Sequence, residues 1–152
     1  MSEFDPSAQF LEFARLAGIS GAKLDENGFC GLEFEGMPCL LEYQERGKAF
    51  VVCAHIAAAP AGAGESFLRE LHRLNYASLL QGTGGVGLDA EAGKVYFVER
   101  LAAAHLDPPA LAQGLLMALR HATGLKRILE GTAPPPEAPA FDPLITQWSL
   151  RV

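Results

Sequence analysis

The chain has 152 residues, a net charge of −6 and 49% hydrophobic residues, which fits one globular domain with an ordinary core. An acidic surface repels phosphate groups and anionic lipids, so we expect neither nucleic-acid nor membrane partners. Three cysteines cannot all pair within one chain and no C-x-x-C motif occurs, which favours a reducing, cytoplasmic location. The first residues lack the basic and apolar regions of a signal peptide, so we expect none.

The first predicted element is a helix with an aromatic face. Asp5-Pro6 is typical of an N-cap followed by proline at the first helical position, and the pattern predicts a helix to about Ala17. Phe10 and Phe13 recur on one face of this helix at helical spacing.

Three strands are predicted next, over residues 30–35, 40–43 and 50–56. In the first, Leu32 and Phe34 lie on one face and Glu33 and Glu35 on the other. The turns between the strands are short, so the three strands form an antiparallel meander.

A second helix is predicted over residues 65–80, and its apolar side is unusually wide. In projection it covers an arc of roughly 200°, wider than the stripe that one core contact needs. The arc contains Phe67, Leu68, Leu71, His72, Leu74, Tyr76 and Leu79. The excess apolar surface predicts a subunit interface and hence a homodimer.

Two short strands, at residues 86–88 and 94–98, and a third helix that begins at Asp107-Pro108 complete the domain. The predicted fold is a single α+β domain over residues 1–131, in the order α-β-β-β-α-β-β-α, with a twisted antiparallel sheet. Residues 132–152 are predicted to be a proline-rich linker and an apolar tail. Trp148, Leu150 and Val152 alternate with polar residues there, which is typical of a half-buried strand.

Candidate chemistry is sparse. Residues 82–87 fit G-x-G-x-x-G but follow a helix and enter a strand, and residues 62–66 carry Glu65 where a phosphate loop needs lysine, so both are predicted to be turns. With a hairpin turn at residues 45–47, Cys39 lies opposite Cys53 and near His55, which gives three possible metal ligands but no fourth. We predict no catalytic residue, metal or cofactor, and keep a small metal- or thiol-dependent enzyme around these residues as the alternative.

The sequence resembles a known family. The run S-F-L-R-E-L-H-R-L-N at residues 66–75, G-T-G-G-V-G-L-D at residues 82–89 and G-K-V-Y-F at residues 93–97 are similar to the core of the class I type III secretion chaperones, the Tir-chaperone (CesT-like) family. The resemblance covers roughly residues 5–130 and includes the order of the elements. A protein-binding adaptor of the same fold with a different partner is a further alternative.

The resemblance implies a homodimer that binds the N-terminal chaperone-binding segment of a secreted effector in extended form, without a nucleotide. It implies a dimer contact through the second helix and the last two strands, and a client groove between the first helix and the sheet. The implied dimer residues are Phe67, Leu68, Leu71, Tyr76 and Leu79, and the implied client residues are Phe10, Phe13, Leu32 and Phe34. The tail is extra to the family pattern, and we predict that it docks in extended form and imitates a client.

Overall fold

Two aspartate-proline pairs start helices, as the sequence predicts. Asp5 Oδ1 accepts hydrogen bonds from the backbone N–H groups of Ser7 (2.9 Å) and Ala8 (3.2 Å), and Asp107 Oδ1 accepts from Ala110 N (2.8 Å). These bonds satisfy N–H groups that a helix leaves without an internal partner at its first turn.

The computed structural model describes residues 4–103 and 106–131. The helices are α1 (Pro6–Leu16), α2 (Glu65–Leu80) and α3 (Pro108–Leu129), and the strands are β1 (Phe29–Phe34), β2 (Met37–Gln44), β3 (Ala49–Ala58), β4 (Gly85–Asp89) and β5 (Lys94–Ala102). The predicted α-β-β-β-α-β-β-α order is confirmed. The predicted linker and tail lie outside the described residues. No helix in the described ranges is both long and apolar enough to cross a membrane.

All five strands form one antiparallel sheet in the order β1-β2-β3-β5-β4. The β1–β2 turn consists of Glu35 and Gly36, which both have positive φ (49° and 77°). Two successive positive φ values are the mark of a type I′ turn, whose twist matches that of an antiparallel hairpin.

The β2–β3 connection corrects one prediction. Lys48 follows the 3-10 turn Glu45–Gly47 in a left-handed conformation (φ 41°, ψ 58°), so the connection is one residue longer than expected. Cys39 therefore pairs with Ala54, and Cys53 pairs with Leu40. Because side chains alternate along a strand, Cys39 and Cys53 lie on opposite faces of the sheet.

One face of the sheet carries the core. All three helices contribute side chains to a single buried apolar cluster with this face, and α1 and α3 pack against each other across it. The other face has no cover among the described residues, and Leu40 (43% exposed) and Val98 (42% exposed) lie on it. The architecture therefore leaves one open sheet face and two sheet edges, β1 and β4.

Candidate functional site

A surface groove lies where the end of α1, the β1–β2 turn and the middle of α3 meet. Its volume is about 340 Å³. It is lined by Leu16, Ala17, Gly18, Ile19, Glu33, Phe34, Glu35, Leu116 and Arg120. Leu16 is 43% exposed, so part of the apolar lining is accessible to a partner. Charged groups of both signs stand at its rim. We call it the α1–α3 groove.

The four residues implied as the client surface are only partly accessible. Phe10 and Phe13 are fully buried, and their rings lie 5.7 Å apart in the core. Phe34 lines the α1–α3 groove but is only 8% exposed, and Leu32 is half-buried beside the core. The two helix aromatics therefore hold α1 in place and do not offer a direct contact surface.

Strand β1 is an edge of the sheet, so half of its backbone groups point away from β2. Tyr43 N donates to Gly28 O (2.8 Å), which fixes the alternation of bonded and non-bonded positions along the pair. By that alternation the backbone groups of Phe29, Gly31 and Glu33 point outward.

A short loop forms hydrogen bonds with the outward backbone groups of Phe29, the first of these residues. Asp25 Oδ1 accepts from Phe29 N (2.8 Å), and Asp25 N donates to Phe29 O (2.8 Å). Gly31 and Glu33 remain at the open edge, and nothing stands within 4 Å of the position that a Cβ would take at Gly31. The open edge of β1 adjoins the α1–α3 groove, since Glu33 and Phe34 belong to both.

The opposite edge, β4, has one of its outward groups occupied by a side chain. Asn75 on α2 accepts a hydrogen bond at its Oδ1 from the backbone N–H of Val86 in β4 (2.8 Å). A side chain of the protein itself thus occupies one outward group of β4, as the Asp25 loop does at the start of β1.

The wide apolar arc of α2 divides into two parts. Leu71 (6% exposed) and Leu74 (fully buried) belong to the core, and Phe67 is half-buried against it. Leu68 (41% exposed), Tyr76 (47%) and Leu79 (58%) form an exposed row, which we call the α2 stripe. Of the five residues implied for the dimer contact, these three are on the surface.

The alternative metal or thiol site is not assembled. Cys39 points into the core, where burial raises the pKa of its thiol to about 11, and burial also raises the pKa of Cys53 on the other face. His55 Nε2 lies 3.0 Å from the carbonyl oxygen of Ala57. Within the described ranges, no group of three or more His, Cys, Asp or Glu residues is placed to hold a metal. A raised thiol pKa disfavours the thiolate that nucleophilic chemistry requires.

One polar cluster was not predicted from the sequence. His121 on α3 places its Nε2 3.1 Å from Ser78 Oγ and 3.2 Å from Thr83 Oγ1, and Thr83 Oγ1 donates to the Ser78 carbonyl (2.9 Å). Burial lowers the pKa of His121, and its ring meets Phe97 edge-on at 5.3 Å. Ser78 is 2% exposed, and this cluster ties α2 and the turn after it to α3.

The glycine-rich segment after α2 is a turn only up to Gly84, because β4 begins at Gly85, earlier than predicted. A Cβ at Gly84 would lie 2.1 Å from the Val98 carbonyl oxygen and 2.7 Å from Glu99 Cβ. Glycine at this position therefore allows the turn to pack against β5. This packing explains why residue 84 is glycine without invoking a phosphate-binding site.

The α1–α3 groove was not predicted from the sequence. Leu16 lies off the buried face of α1, and Leu116 and Arg120 come from a helix a hundred residues away. The alternation of β1 was the one usable signal, because it placed Leu32 and Phe34 on the groove side of that strand.

Comparison with known proteins gives a consistent result. A family model described as the Tir chaperone protein (CesT) family matches residues 10–126, well over half of the chain. No curated protein sequence matches the chain significantly.

Solved structures of the same fold exist. A chain of the ExsC–ExsE complex aligns with a TM-score of 0.65 and 25% identity, covering 80% of this chain and 91% of that one. The Yersinia pestis type III secretion chaperone SycH, in complex with a stable fragment of YscM2, aligns with a TM-score of 0.59 and 20% identity, over 80% and 99%. The heterodimeric ExoU–SpcU complex from the type III secretion system of Pseudomonas aeruginosa gives 0.53 and 20%, over 76% and 92%.

Proposed function

Because the chain belongs to the Tir chaperone (CesT) family, we propose that it is a chaperone that binds the N-terminal segment of a type III secretion effector in extended form and keeps it competent for secretion. The family match over residues 10–126 carries this proposal. The similar structures support it, since SycH is a type III secretion chaperone in complex with a fragment of YscM2, and the ExsC–ExsE and ExoU–SpcU structures are complexes of two proteins as well.

The client is held at the open edge of β1 and in the α1–α3 groove. An extended segment adds as a strand to an open edge, where main-chain hydrogen bonds supply affinity and pockets for alternate side chains supply selectivity. The outward groups of Gly31 and Glu33 provide the edge, and Leu16 and Leu116 provide the apolar pocket beside it. Phe10 and Phe13 support the groove from within the core.

The chaperone is a homodimer joined through the α2 stripe. Leu68, Tyr76 and Leu79 expose large apolar side chains along one line of α2, an arrangement that favours a protein contact over a solvated helix face. The stripe and the α1–α3 groove share no residue, so the dimer and the client do not compete.

The protein acts by binding in the cytoplasm and not by catalysis. The buried Ser78, the raised thiol pKa values of Cys39 and Cys53 and the acidic surface all fit a binding role. Its partners are polypeptides: the effector segment and a second copy of the chain.

The test begins with co-purification from cells that contain the native secretion system, followed by mass spectrometry and a binding assay with the N-terminal segment found. Leu16→Glu places a charge in the groove and should weaken binding by at least about tenfold, which corresponds to about 1.4 kcal/mol. Leu11→Glu is the matched control, because Leu11 is 55% exposed on the same helix and does not line the groove. Equal affinity of the two variants would reject this site.

A further inference from the structure

A second cavity, of about 230 Å³, lies between α2 and α3. α2 packs mainly against β4, whereas α3 packs mainly against α1 and β3, so the two helices leave a gap between them. Its apolar walls are formed by Leu74 and Ala77 of α2 and by Leu125 and Ile128 of α3. Arg120 also lines it and is exposed, which places the mouth of the cavity at the protein surface. We call it the α2–α3 cavity.

The polar side chains that line this cavity bond within the protein. Thr83 Oγ1 donates its only proton to the Ser78 carbonyl, so its contact with His121 Nε2 is a hydrogen bond only when that nitrogen carries a proton. Ser78 Oγ lies 3.1 Å from the same nitrogen. Burial lowers the pKa of His121, which keeps the ring neutral at pH 7. The rest of the lining therefore favours an apolar occupant.

Gly124 keeps one wall of the cavity open. It lies in the interior of α3, where glycine stabilises a helix less than alanine does. Among the described residues nothing stands within 4 Å of the position that a Cβ would take there, so close packing does not require glycine. A cavity of about 150 Å³ binds benzene, so the α2–α3 cavity has room for one phenyl or isobutyl group.

Arg120 supplies a cation beside this apolar space. It is the one charged residue that lines the cavity, and it forms no ion pair with any described residue. Glu33 and Glu35 line the α1–α3 groove together with Arg120, but neither pairs with it. A carboxylate that arrives next to the cavity can form a charge-assisted, two-point contact with a guanidinium group. The mouth is thus complementary to an acidic partner.

We propose that the α2–α3 cavity is a second client pocket, which takes one large apolar side chain of the effector while Arg120 pairs with an acidic residue beside that side chain. The inference rests on the proposed function for the source of the side chain. Arg120 lines both the α1–α3 groove and the cavity, so an extended segment that leaves the groove reaches the cavity by crossing α3. The cavity shares no residue with the α2 stripe, so the proposed dimer leaves it accessible.

The first test uses phenylacetate, which joins an aromatic ring to a carboxylate, on the full chain without effector. We expect saturable NMR shifts at the amides of Ala77 and Gly124, and weaker binding of the uncharged phenylacetamide. Arg120→Gln should make the two compounds bind equally, because it removes the cation at the mouth. No saturable shift at these amides, or equal binding of the two compounds to the unaltered chain, would overturn the inference.

A variant that fills the cavity locates the probe. Gly124→Leu should remove the shifts without lowering the thermal midpoint, and Gly124→Ala, whose Cβ meets nothing within 4 Å, should weaken them. Gln113→Leu is the matched control, because Gln113 is exposed on the same helix and does not line the cavity. Shifts that persist in folded Gly124→Leu would place phenylacetate elsewhere and contradict the proposed pocket.

Binding of the effector segment found by co-purification separates this inference from the proposed function. Gly124→Leu should weaken it by about tenfold, the equivalent of losing one buried apolar side chain, and Gln113→Leu should not. Equal affinity of the two variants would overturn the second pocket and leave the chaperone function standing. An unaltered chain that binds phenylacetate at Gly124 but no effector segment would reject the proposed function and leave the ligand chemistry of the cavity supported.

Discussion

Two leucines of α2, three residues apart, allow folding and dimerisation to be tested separately. Leu71 is 6% exposed in the core, whereas Leu68 is 41% exposed in the α2 stripe. Leu71→Asp buries an unpaired carboxylate and should lower the free energy of unfolding by about 3–5 kcal/mol or prevent folding. Leu68→Asp should leave the thermal midpoint of the monomer nearly unchanged and halve the mass in light scattering. A Leu68→Asp protein that stays dimeric at micromolar concentration would contradict the proposed interface.

His121 makes stability depend on pH. Burial lowers its pKa in the folded chain, so the unfolded chain takes up the proton first as the pH falls below about 6.5. Stability is therefore present above that value and is lost on acidification, with a slope of at most about 1.4 kcal/mol per pH unit.

Denaturant unfolding between pH 7 and pH 5 measures this slope, and His121→Gln should flatten it. Glu99 acts in the opposite direction, since burial raises its carboxyl pKa, so only the difference between variant and parent isolates His121. An identical slope in His121→Gln would refute the assignment.

Residue periodicity predicted which side chains face inward but not what covers them. Phe10 and Phe13 were correctly placed on one face of α1, yet that face is closed by the core and by α3, which lies a hundred residues further along the chain. A pattern within one helix carries no information about a distant cover, so a buried face and a binding face look alike in sequence.

At the scale of elements, one side chain joins α2 to the sheet. Asn75→Ala removes the acceptor for Val86 N, which should cost about 1–2 kcal/mol and loosen β4. Native-state hydrogen exchange measures this change: the Val86 amide should exchange faster, while the amide of Val95 in the middle of the sheet stays protected. Unchanged protection of Val86 would mean that another group satisfies the edge of β4.

Element order was readable from the sequence, and register was not. The helix over residues 65–80 matches α2, since its start, length and periodicity are local properties. The β2–β3 register differed from the predicted one by one residue because Lys48 adopts a left-handed conformation. Glycine or asparagine at this position would have indicated such a conformation, whereas lysine does not. A shift of one residue exchanges the faces of a strand, and this shift separates Cys39 from Cys53.

At the scale of the whole molecule, the fold places the two proposed interaction surfaces apart. The α2 stripe is at the β4 end of the sheet, whereas the open edge of β1 is at the other end. In the proposed dimer, contact through the stripe leaves the β1 edge free on each chain, an arrangement suited to an extended polypeptide that passes over both copies.

Hydrogen exchange on the purified complex with the effector segment tests the central claim most directly. An added strand should protect the amides of Gly31 and Glu33 and leave the amide of Leu32, which points toward β2, unchanged. Full binding of the segment with no new protection at Gly31 or Glu33 would contradict the account.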